Sequence, residues 1–315
     1  MTKFAFIFPG QGSQFIGMGK DLADAFPAAK AVFEEVDDAL GQGLSDLIWT
    51  GSEEELKLTA NTQPALMAVS VAAMRALESA HGIGADKAAF IAGHSLGEYS
   101  ALASAGAISV GDCAKVLRIR GNAMQDAVPA DQGAMAALLG ASPEQAAALC
   151  ANGASEGPCE IANDNAPGQI VISGAKPAVE LAISGAKDAG VKKAVLLPVS
   201  APFHCSLMQP AADAMAEALA NISIQAPSAP LVANVTATAG TDPEAIRKQL
   251  VEQVTGQVRW TESVQFMAEQ GVEATIEAGA GKVLSVMNRR TVRALEGMTM
   301  GTPEEIAAIA ERLNG

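Results

Sequence analysis

Residues 88–105 constrain the fold more than any other stretch, because an apolar run, a glycine-flanked serine and a second run follow one another without a break. Residues 88–92 are all apolar, which is typical of a buried strand, and residues 98–105 are compatible with a helix. Between them, Gly93-His94-Ser95-Leu96-Gly97 fits the pattern G-x-S-x-G. Glycine has no Cβ, so both glycines allow the strand and the helix to close tightly around Ser95. The stretch predicts a strand, a sharp turn and a helix, with the serine hydroxyl standing clear of a sheet.

A serine in such a turn is placed to act as a nucleophile, and it then needs donors for the oxyanion that it creates. The main-chain N–H of Leu96 lies at the start of the predicted helix and points at an oxyanion formed beside Ser95. A second candidate donor is the main-chain N–H of Gln11, in a glycine-rich loop at residues 9–14 after a predicted strand at 3–8. The spacing of that loop is not that of a phosphate-binding loop. Taken alone, the loop is better explained as a simple connection.

The nucleophile also needs a base within hydrogen-bond reach, and the chain has only three histidines. His94 is the direct neighbour of Ser95, so we expect its side chain to point away from the serine. His81 ends a helix with polar flanks and is expected at the surface. By elimination, His204 is the candidate base.

An acid that orients His204 is harder to find. In the α/β-hydrolase order the acid lies between the serine and the histidine in the chain. Asp112, Asp126 and Asp164 are the least implausible candidates, and none of them stands convincingly at the end of a strand. A dyad is the alternative, with a backbone carbonyl or an amide orienting His204.

The order of predicted elements indicates an α/β protein with two parts. Strands and helices alternate along most of the chain, which predicts a parallel sheet with helices on both faces. Residues 129–197 instead have the order β-α-β-β-α-β, the ferredoxin-like pattern. We therefore expect this small domain to be inserted into a large domain formed by residues 1–128 and 198–315. A ligand cleft between the two parts is the natural consequence.

Composition excludes several classes of function. The formal net charge of −14 argues against nucleic acid as a partner. No apolar run reaches the ~18 residues of a membrane-spanning helix, and the N-terminus lacks a signal-peptide cleavage site, so we expect a cytoplasmic protein. The four cysteines are not spaced as C-x-x-C and no histidine cluster accompanies them, so we expect neither a metal nor a disulfide framework, and no cofactor.

Three segments together resemble one family. Phe8-Pro9-Gly10-Gln11-Gly12-Ser13-Gln14, Gly93-His94-Ser95-Leu96-Gly97-Glu98-Tyr99 and Pro202-Phe203-His204 are similar, in this order, to the malonyl-CoA:acyl carrier protein transacylases. The resemblance covers residues 3 to about 290. It implies an α/β-hydrolase-like large domain with a ferredoxin-like small one.

The resemblance also implies an activity and a mechanism. A malonyl group would pass from malonyl-CoA to the phosphopantetheine thiol of acyl carrier protein, in fatty acid biosynthesis. Ser95 would be the acylated nucleophile in a ping-pong reaction and His204 its base. The main-chain N–H groups of Gln11 and Leu96 would form the oxyanion hole.

Further positions take their roles from the same resemblance. Arg120 matches the arginine that pairs with the free carboxylate of the malonyl group, a geometry that suits a guanidinium. Gln253 matches the residue whose main-chain carbonyl orients the histidine. Asn163 and Met124 match positions that line the pocket.

Two other function classes remain open from the residues alone. A serine hydrolase such as a thioesterase shares the turn, but it predicts an acid partner for the histidine and no need for Arg120. A non-catalytic binding module predicts no turnover at Ser95. Because acyl carrier proteins are acidic and this chain is too, docking would require a local basic patch, for which the candidates are Lys192, Lys193, Lys282, Arg289 and Arg290.

Overall fold

The computed structural model describes residues 2–129, 131–199 and 201–314. Within these ranges the chain forms a mixed α/β fold with two sheets. The strands are β1 (Phe4–Phe8), β2 (Phe90–Gly93), β3 (Gly133–Leu139), β4 (Cys159–Ala166), β5 (Gln169–Ala175), β6 (Lys193–Leu196), β7 (Leu231–Val232), β8 (Ala239–Gly240), β9 (Val258–Arg259), β10 (Ala274–Ala278) and β11 (Glu296–Met300).

Helices separate and follow these strands, together with short 3-10 turns at Ala85–Lys87, Ala154–Glu156 and Ser206–Met208. The α-helices are α1 (Lys20–Ala25), α2 (Pro27–Leu40), α3 (Leu44–Thr50), α4 (Glu53–Lys57), α5 (Thr59–His81), α6 (Gly97–Ser104), α7 (Val110–Asp126), α8 (Pro143–Gly153), α9 (Lys176–Ser184), α10 (Gln209–Ala220), α11 (Pro243–Thr255), α12 (Trp260–Glu269), α13 (Val283–Thr291) and α14 (Pro303–Asn314).

The larger sheet has the order β11-β10-β1-β2-β7-β8, and only the short β8 runs antiparallel to its neighbour. Every side chain of β1 is buried, as expected for a central parallel strand that is covered on both faces. Helix α5 packs against this sheet and is buried nearly all round. The sequence Phe-Ala-Phe-Ile-Phe of β1 can therefore be continuously apolar because no face of the strand meets water.

The smaller sheet has the order β6-β3-β5-β4-β9. Its first four strands come from one continuous stretch of chain and pair antiparallel, while α8 and α9 supply the apolar side chains that cover one face. The fifth strand, β9, lies much later in the chain and pairs parallel with β4. The segment that follows α11 therefore joins the two sheets, which the pattern of residues 129–197 alone does not predict.

Local differences from the sequence prediction have simple causes. The helical spacing of residues 22–40 predicts a single helix, but the structure has two, because Phe26 is extended and a residue before a proline avoids the helical region. Ser206 is predicted to be the N-cap of the helix that ends at Ala220; instead it begins a 3-10 turn, and its hydroxyl donates to Glu160. Strand β11 and helix α14 are absent from the prediction. Among the described residues, no helix combines the length and the apolar character needed to cross a membrane.

Candidate active site

Ser95 lies on the turn between β2 and α6, in a backbone conformation that few residues other than glycine adopt. Its φ angle is 54°, in the left-handed region. A Cβ on Gly93 would lie 1.9 Å from the carbonyl carbon of Gly97, and a Cβ on Gly97 would lie 2.2 Å from the carbonyl oxygen of Phe8. A side chain at either glycine would therefore clash with the backbone. The turn stands at the carboxyl ends of parallel strands, where open α/β sheets bind their ligands.

His204 meets the Ser95 hydroxyl directly, and its ring is buried. Its Nε2 lies 2.8 Å from Oγ of the serine. On the other side of the ring, Nδ1 lies 2.9 Å from the carbonyl oxygen of Gln253 and 3.2 Å from that of Gly256. Because a carbonyl oxygen only accepts, Nδ1 carries the proton and Nε2 offers a lone pair to the hydroxyl. The geometry allows the proton of Ser95 to move to His204.

Within the described residues no carboxylate bonds to His204, and the three acids considered from the sequence lie elsewhere. Asp112 bonds within the first turn of α7, Asp164 accepts from the hydroxyl of Thr261, and Asp126 is exposed. Main-chain carbonyls occupy the position that a triad acid would take. Of the arrangements that the sequence leaves open, the structure has the geometry of a dyad.

Arg120, on α7, reaches the same hydroxyl and is only 1% exposed. Its Nη2 donates to Ser95 Oγ at 3.1 Å and to Gln253 Oε1 at 2.9 Å, while Nη1 donates to Gln63 Oε1 at 2.8 Å. The guanidinium also lies near the ring of Tyr99, with Cζ 5.7 Å from the centroid. In the described part of the chain no carboxylate pairs with it directly. A buried cation held only by neutral groups is unfavourable, so this position favours an anionic ligand.

Burial and charge together set the protonation of the dyad. Burial, followed by the positive charge of Arg120, lowers the pKa of His204 to about 3, against the opposing hydrogen bonds to the carbonyls of Gln253 and Gly256. Burial also lowers the pKa of Arg120, although a guanidinium stays charged at any pH a protein tolerates. The imidazole is therefore neutral near neutral pH, the form in which it can accept a proton.

Two main-chain donors face the pocket beside the serine. Gln11 and Leu96 both line it, and neither main-chain N–H finds an acceptor among the described residues. The N–H of Ser95 itself is occupied, because it donates to Asn234 Oδ1 at 2.8 Å. Leu96 stands at the amino end of α6, where the helix dipole favours negative charge. The pair has the character of an oxyanion site.

The pocket over Ser95 is lined from both sheets. The side of the larger sheet includes Met124, whose sulfur lies 3.8 Å from Gln63 Nε2. The smaller sheet contributes Asn163, on β4, together with apolar side chains of β3 and β5. His94 also lines the pocket; its Nε2 lies 2.8 Å from Asn165 Oδ1. The structure therefore brings Asn163 and Met124 to the pocket, although it shows no ligand contact for either.

The three histidines lie in different surroundings, and those of His204 and His81 are the ones that the sequence predicts. His204 meets Ser95, and His81 is exposed at the end of α5. Among the described residues His94 makes no hydrogen bond to the Ser95 hydroxyl; its ring is held by Asn165 of the smaller sheet and lines the same pocket. Its pKa is lowered by burial.

Sequence reasoning missed two amides of the site, Gln63 and Asn234. Gln63 holds one end of Arg120. Asn234 binds the main chain of the turn on both sides, since its Oδ1 accepts from Ser95 N–H and its Nδ2 donates to the carbonyl of Gly93 at 2.7 Å. Asn234 follows the short strand β7, and a polar residue at the carboxyl end of a buried strand is the signal that could have found it.

The five basic candidates for partner docking lie in two groups. Lys192 and Lys193 are exposed at the start of β6, an edge strand of the smaller sheet. The other three are exposed on or beside α13, the helix whose Leu284 and Met287 line the pocket; they are Lys282, Arg289 and Arg290.

Metal ligands and disulfides find no support in the described residues. No three histidine, cysteine or acidic side chains within residues 2–129, 131–199 and 201–314 come together as a metal site requires. All four cysteines are free thiols, and all are buried.

The chain is similar to known acyltransferases in sequence and in fold. Residues 5–308 match the model of the acyl transferase domain family. The malonyl CoA-acyl carrier protein transacylase of Escherichia coli (strain K12) is 46% identical over 311 residues, which is 99% of this chain and 100% of the relative. An acyl-carrier-protein-S-malonyltransferase from Bartonella henselae superposes with a TM-score of 0.97 at 53% identity, over 100% of both chains.

A further solved structure is a malonyl-transacylase in complex with its type II PKS acyl-carrier protein. It is 43% identical, has a TM-score of 0.95, and covers 99% of this chain and 100% of its own. Sequence, fold and the arrangement around Ser95 all lead to one assignment: the chain belongs to the acyl transferase domain family, among the malonyl CoA-acyl carrier protein transacylases.

Proposed function

We propose that this protein transfers the malonyl group of malonyl-CoA to the phosphopantetheine thiol of an acyl carrier protein, in fatty acid biosynthesis. The observation that carries the proposal is the buried guanidinium of Arg120, 3.1 Å from the Ser95 hydroxyl and without a carboxylate partner among the described residues. An acyl group that ends in a free carboxylate supplies the missing counter-charge. The names of the relatives agree with the same substrate and acceptor.

In the first half-reaction, Ser95 Oγ attacks the thioester carbonyl while its proton passes to Nε2 of His204. The tetrahedral oxyanion is held by the main-chain N–H groups of Gln11 and Leu96. The C–S bond then breaks, the proton returns from His204 to the departing CoA sulfur, and a malonyl ester remains on Ser95. The carbonyl of Gln253 keeps the imidazole in the required tautomer.

In the second half-reaction, His204 takes the proton of the carrier thiol and the sulfur attacks the malonyl ester. Collapse of the second tetrahedral state breaks the ester C–O bond and returns the proton to Ser95. A main-chain carbonyl stabilises an imidazolium less than a carboxylate does. This suffices here because a thiolate is a good leaving group in the first half-reaction, and in the second half-reaction a thiol gives up its proton more readily than water or an amine does. Each step uses side chains and main-chain donors of this chain, so we expect no cofactor.

The carboxylate of the bound malonyl group takes the place that the serine oxygen holds on Arg120 in the free protein. Pairing with a planar guanidinium can be bidentate, and Gln63 and Gln253 fix the plane in which it lies. Asn163 and Met124 would contact the acyl chain from opposite sides of the pocket.

The finer fold assignment belongs to the same proposal. The parallel sheet that carries the Ser95 turn supports an α/β-hydrolase-like large domain, formed by residues 1–128 and 198–315. The antiparallel order β6-β3-β5-β4, with two covering helices, supports a ferredoxin-like small domain at 129–197. A cytoplasmic location, without nucleic acid or membrane as a partner, stays a prediction from composition.

A serine hydrolase such as a thioesterase is the rival, and the site supports it less. A hydrolase would be served by an acid on His204 and has no use for a buried cation beside the nucleophile. The two reactions differ in the fate of the acyl-enzyme, since a transferase must hold its ester until a thiol arrives.

The mass of the intact protein after brief exposure to malonyl-CoA, without carrier protein, tests the proposal. We expect an adduct of one malonyl group in the wild type and in Cys205→Ser, a control that removes the thiol adjacent to His204, and no adduct in Ser95→Ala. Transfer to added holo-carrier protein should then remove the adduct. Continuous release of CoA without an adduct would assign the protein to the hydrolases instead.

A further inference from the structure

Glu98 is a buried carboxyl beneath the active site that the proposed mechanism does not use. It lies in the first turn of α6, three residues after Ser95, and is 1% exposed. No lysine, arginine or histidine among the described residues forms an ion pair with it. Burying a carboxyl group costs free energy unless hydrogen bonds satisfy its oxygens.

Both oxygens of Glu98 accept hydrogen bonds from residues of the site. Oε1 accepts from the main-chain N–H of Asn234 at 2.5 Å, and Oε2 accepts from Nε2 of Gln253. Burial raises the pKa of Glu98 to about 8 against the opposing hydrogen bonds of Asn234 and Gln253 and the opposing charge of Arg120. Among the described residues no acceptor is hydrogen-bonded to either oxygen, so both oxygens act as acceptors in this arrangement.

Glu98 helps to fix which way the Gln253 amide faces. Because both oxygens of its carboxyl group act as acceptors, Gln253 turns its NH2 toward Glu98. Its oxygen then faces Arg120, from which it accepts at 2.9 Å, and its NH2 also donates to the carbonyl of Ser95 at 2.9 Å. If the amide were reversed, its NH2 would face the guanidinium, a donor against a donor.

We infer that Glu98 is a positioning residue that sets malonyl specificity by fixing the Gln253 amide and, through it, the guanidinium of Arg120. The amide keeps the carboxyl group of Glu98 one side chain away from Arg120. A carboxylate in direct contact would occupy the guanidinium and exclude the carboxylate of the substrate, whereas this relay orients the guanidinium without such a contact. The inference rests on the proposed function, because it concerns recognition of a carboxylate on the acyl group.

Glu98→Gln is the decisive variant. Whichever way its amide is placed, one of its N–H groups faces either the Asn234 N–H or the Gln253 NH2. We expect the ratio of acylation rates, malonyl-CoA over acetyl-CoA, to fall at least about tenfold, the effect of one mispaired buried donor. Acetyl transfer makes no use of Arg120 and should change less than malonyl transfer.

Glu277→Gln is a matched control, because Glu277 is also fully buried and its two oxygens accept main-chain N–H groups of Leu284 and Ser285. We expect that variant to lose stability but keep the ratio. If Glu98→Gln does not fold, Glu98→Asp decides: it keeps a carboxyl group, drawn back from Gln253, and should lower the ratio by a smaller factor.

Single-turnover release of CoA, measured with both thioesters on the wild type and each variant, separates the possible outcomes. A wild type that forms no malonyl ester overturns the proposed function itself. A wild type that acylates normally, beside folded Glu98 variants in which both rates fall equally or neither falls, overturns the role of Glu98 alone.

Discussion

Nη2 of Arg120 donates a hydrogen bond to Ser95 Oγ, the same oxygen that lies 2.8 Å from Nε2 of the proposed base, His204. The group that would read the substrate carboxylate is thus in contact with the nucleophile before any substrate arrives. Under the proposed function, a bound carboxylate would draw this donor away from Oγ and cancel the positive charge beside the imidazole. Recognition of the acyl group and activation of the serine would then be coupled through one side chain.

Removing that side chain should alter specificity more than folding. We expect Arg120→Ala to lower kcat/KM for acylation by malonyl-CoA ~10²-fold. This corresponds to a loss of about 3 kcal/mol in transition-state stabilisation, as when one partner of a buried charge pair is lost. Acylation by acetyl-CoA should be unchanged or faster, because the hydroxyl loses a competing donor.

Arg118→Ala is the natural control for this variant. Arg118 lies on the same helix but is half-buried and bonds to Asn61 and Gln42, away from the serine. Single-turnover kinetics with both thioesters measure the effect. An unchanged malonyl preference in Arg120→Ala would remove Arg120 from the carboxylate site.

The depressed pKa of His204 should appear in the pH dependence of stability. The pKa is about 3 in the folded protein, against ~6.5 for a histidine in an unfolded chain. Between these values the unfolded chain binds a proton that the folded protein does not, so the free energy of unfolding falls as the pH falls through this range. We expect His204→Gln to remove up to ~1.4 kcal/mol per pH unit of that decrease.

Urea unfolding at a few pH values between about 7 and about 4 measures the two slopes. His81→Gln, a change at an exposed histidine on α5, serves as the control and should follow the wild type. Parallel slopes for His204→Gln and the wild type would mean that the imidazole is not held neutral by its surroundings.

The basic residues of α13 should matter for the carrier protein and not for CoA. We expect Arg289→Glu with Arg290→Glu to raise the KM for acyl carrier protein, because both side chains are exposed on the helix that borders the pocket and the proposed partner is acidic. Malonylation of Ser95 by malonyl-CoA should change less.

Lys30→Glu with Lys57→Glu is the control, because it makes the same change in net charge at exposed positions of α2 and α4. Steady-state kinetics with varied carrier protein, at two salt concentrations, would separate a local effect from the change in net charge. An equal rise in KM for both double variants would argue against docking on α13.

The glycines of the serine turn should resist even the smallest substitution. A Cβ on Gly97 would lie 2.2 Å from the carbonyl oxygen of Phe8, so Gly97→Ala must push α6 away from β1. We expect a loss of about 3 kcal/mol or more in the free energy of unfolding and no malonyl adduct. Gly240→Ala is the comparison, since a Cβ there meets nothing within 4 Å; chemical denaturation of both variants decides.

The sequence predicts those residues of the site that belong to a local motif or to a rare residue type. Ser95 lies between two glycines at the spacing of a known motif. His204 is identified because the chain has only three histidines and the other two are badly placed to act as the base. The amides Gln63 and Asn234 carry no such signal, since glutamine and asparagine are common residues. Their roles come from contacts with residues that are distant in the chain. Glu98 likewise reads as an acidic residue of a first helical turn, and only its burial shows otherwise.

The fold divides in the same way. Strand β1 and the helix α5 follow from continuous apolar runs, and the β-α-β-β-α-β order predicts four strands of the smaller sheet. Strand β9 has two residues and pairs with β4 nearly a hundred positions away. Two residues are too few to show a periodic pattern, so the sequence does not predict this strand.

That short pairing has a mechanical consequence for the dyad. The carbonyls of residues 253 and 256 hold the ring of His204, and two residues later the same chain is hydrogen-bonded into the smaller sheet, where Val258 lies opposite Asn163. A hinge motion that moved this sheet away from the larger one would also displace the backbone that holds the imidazole of His204. The two sheets are thus linked next to the dyad, and we expect acyl groups to enter and leave the pocket without a hinge opening between the sheets.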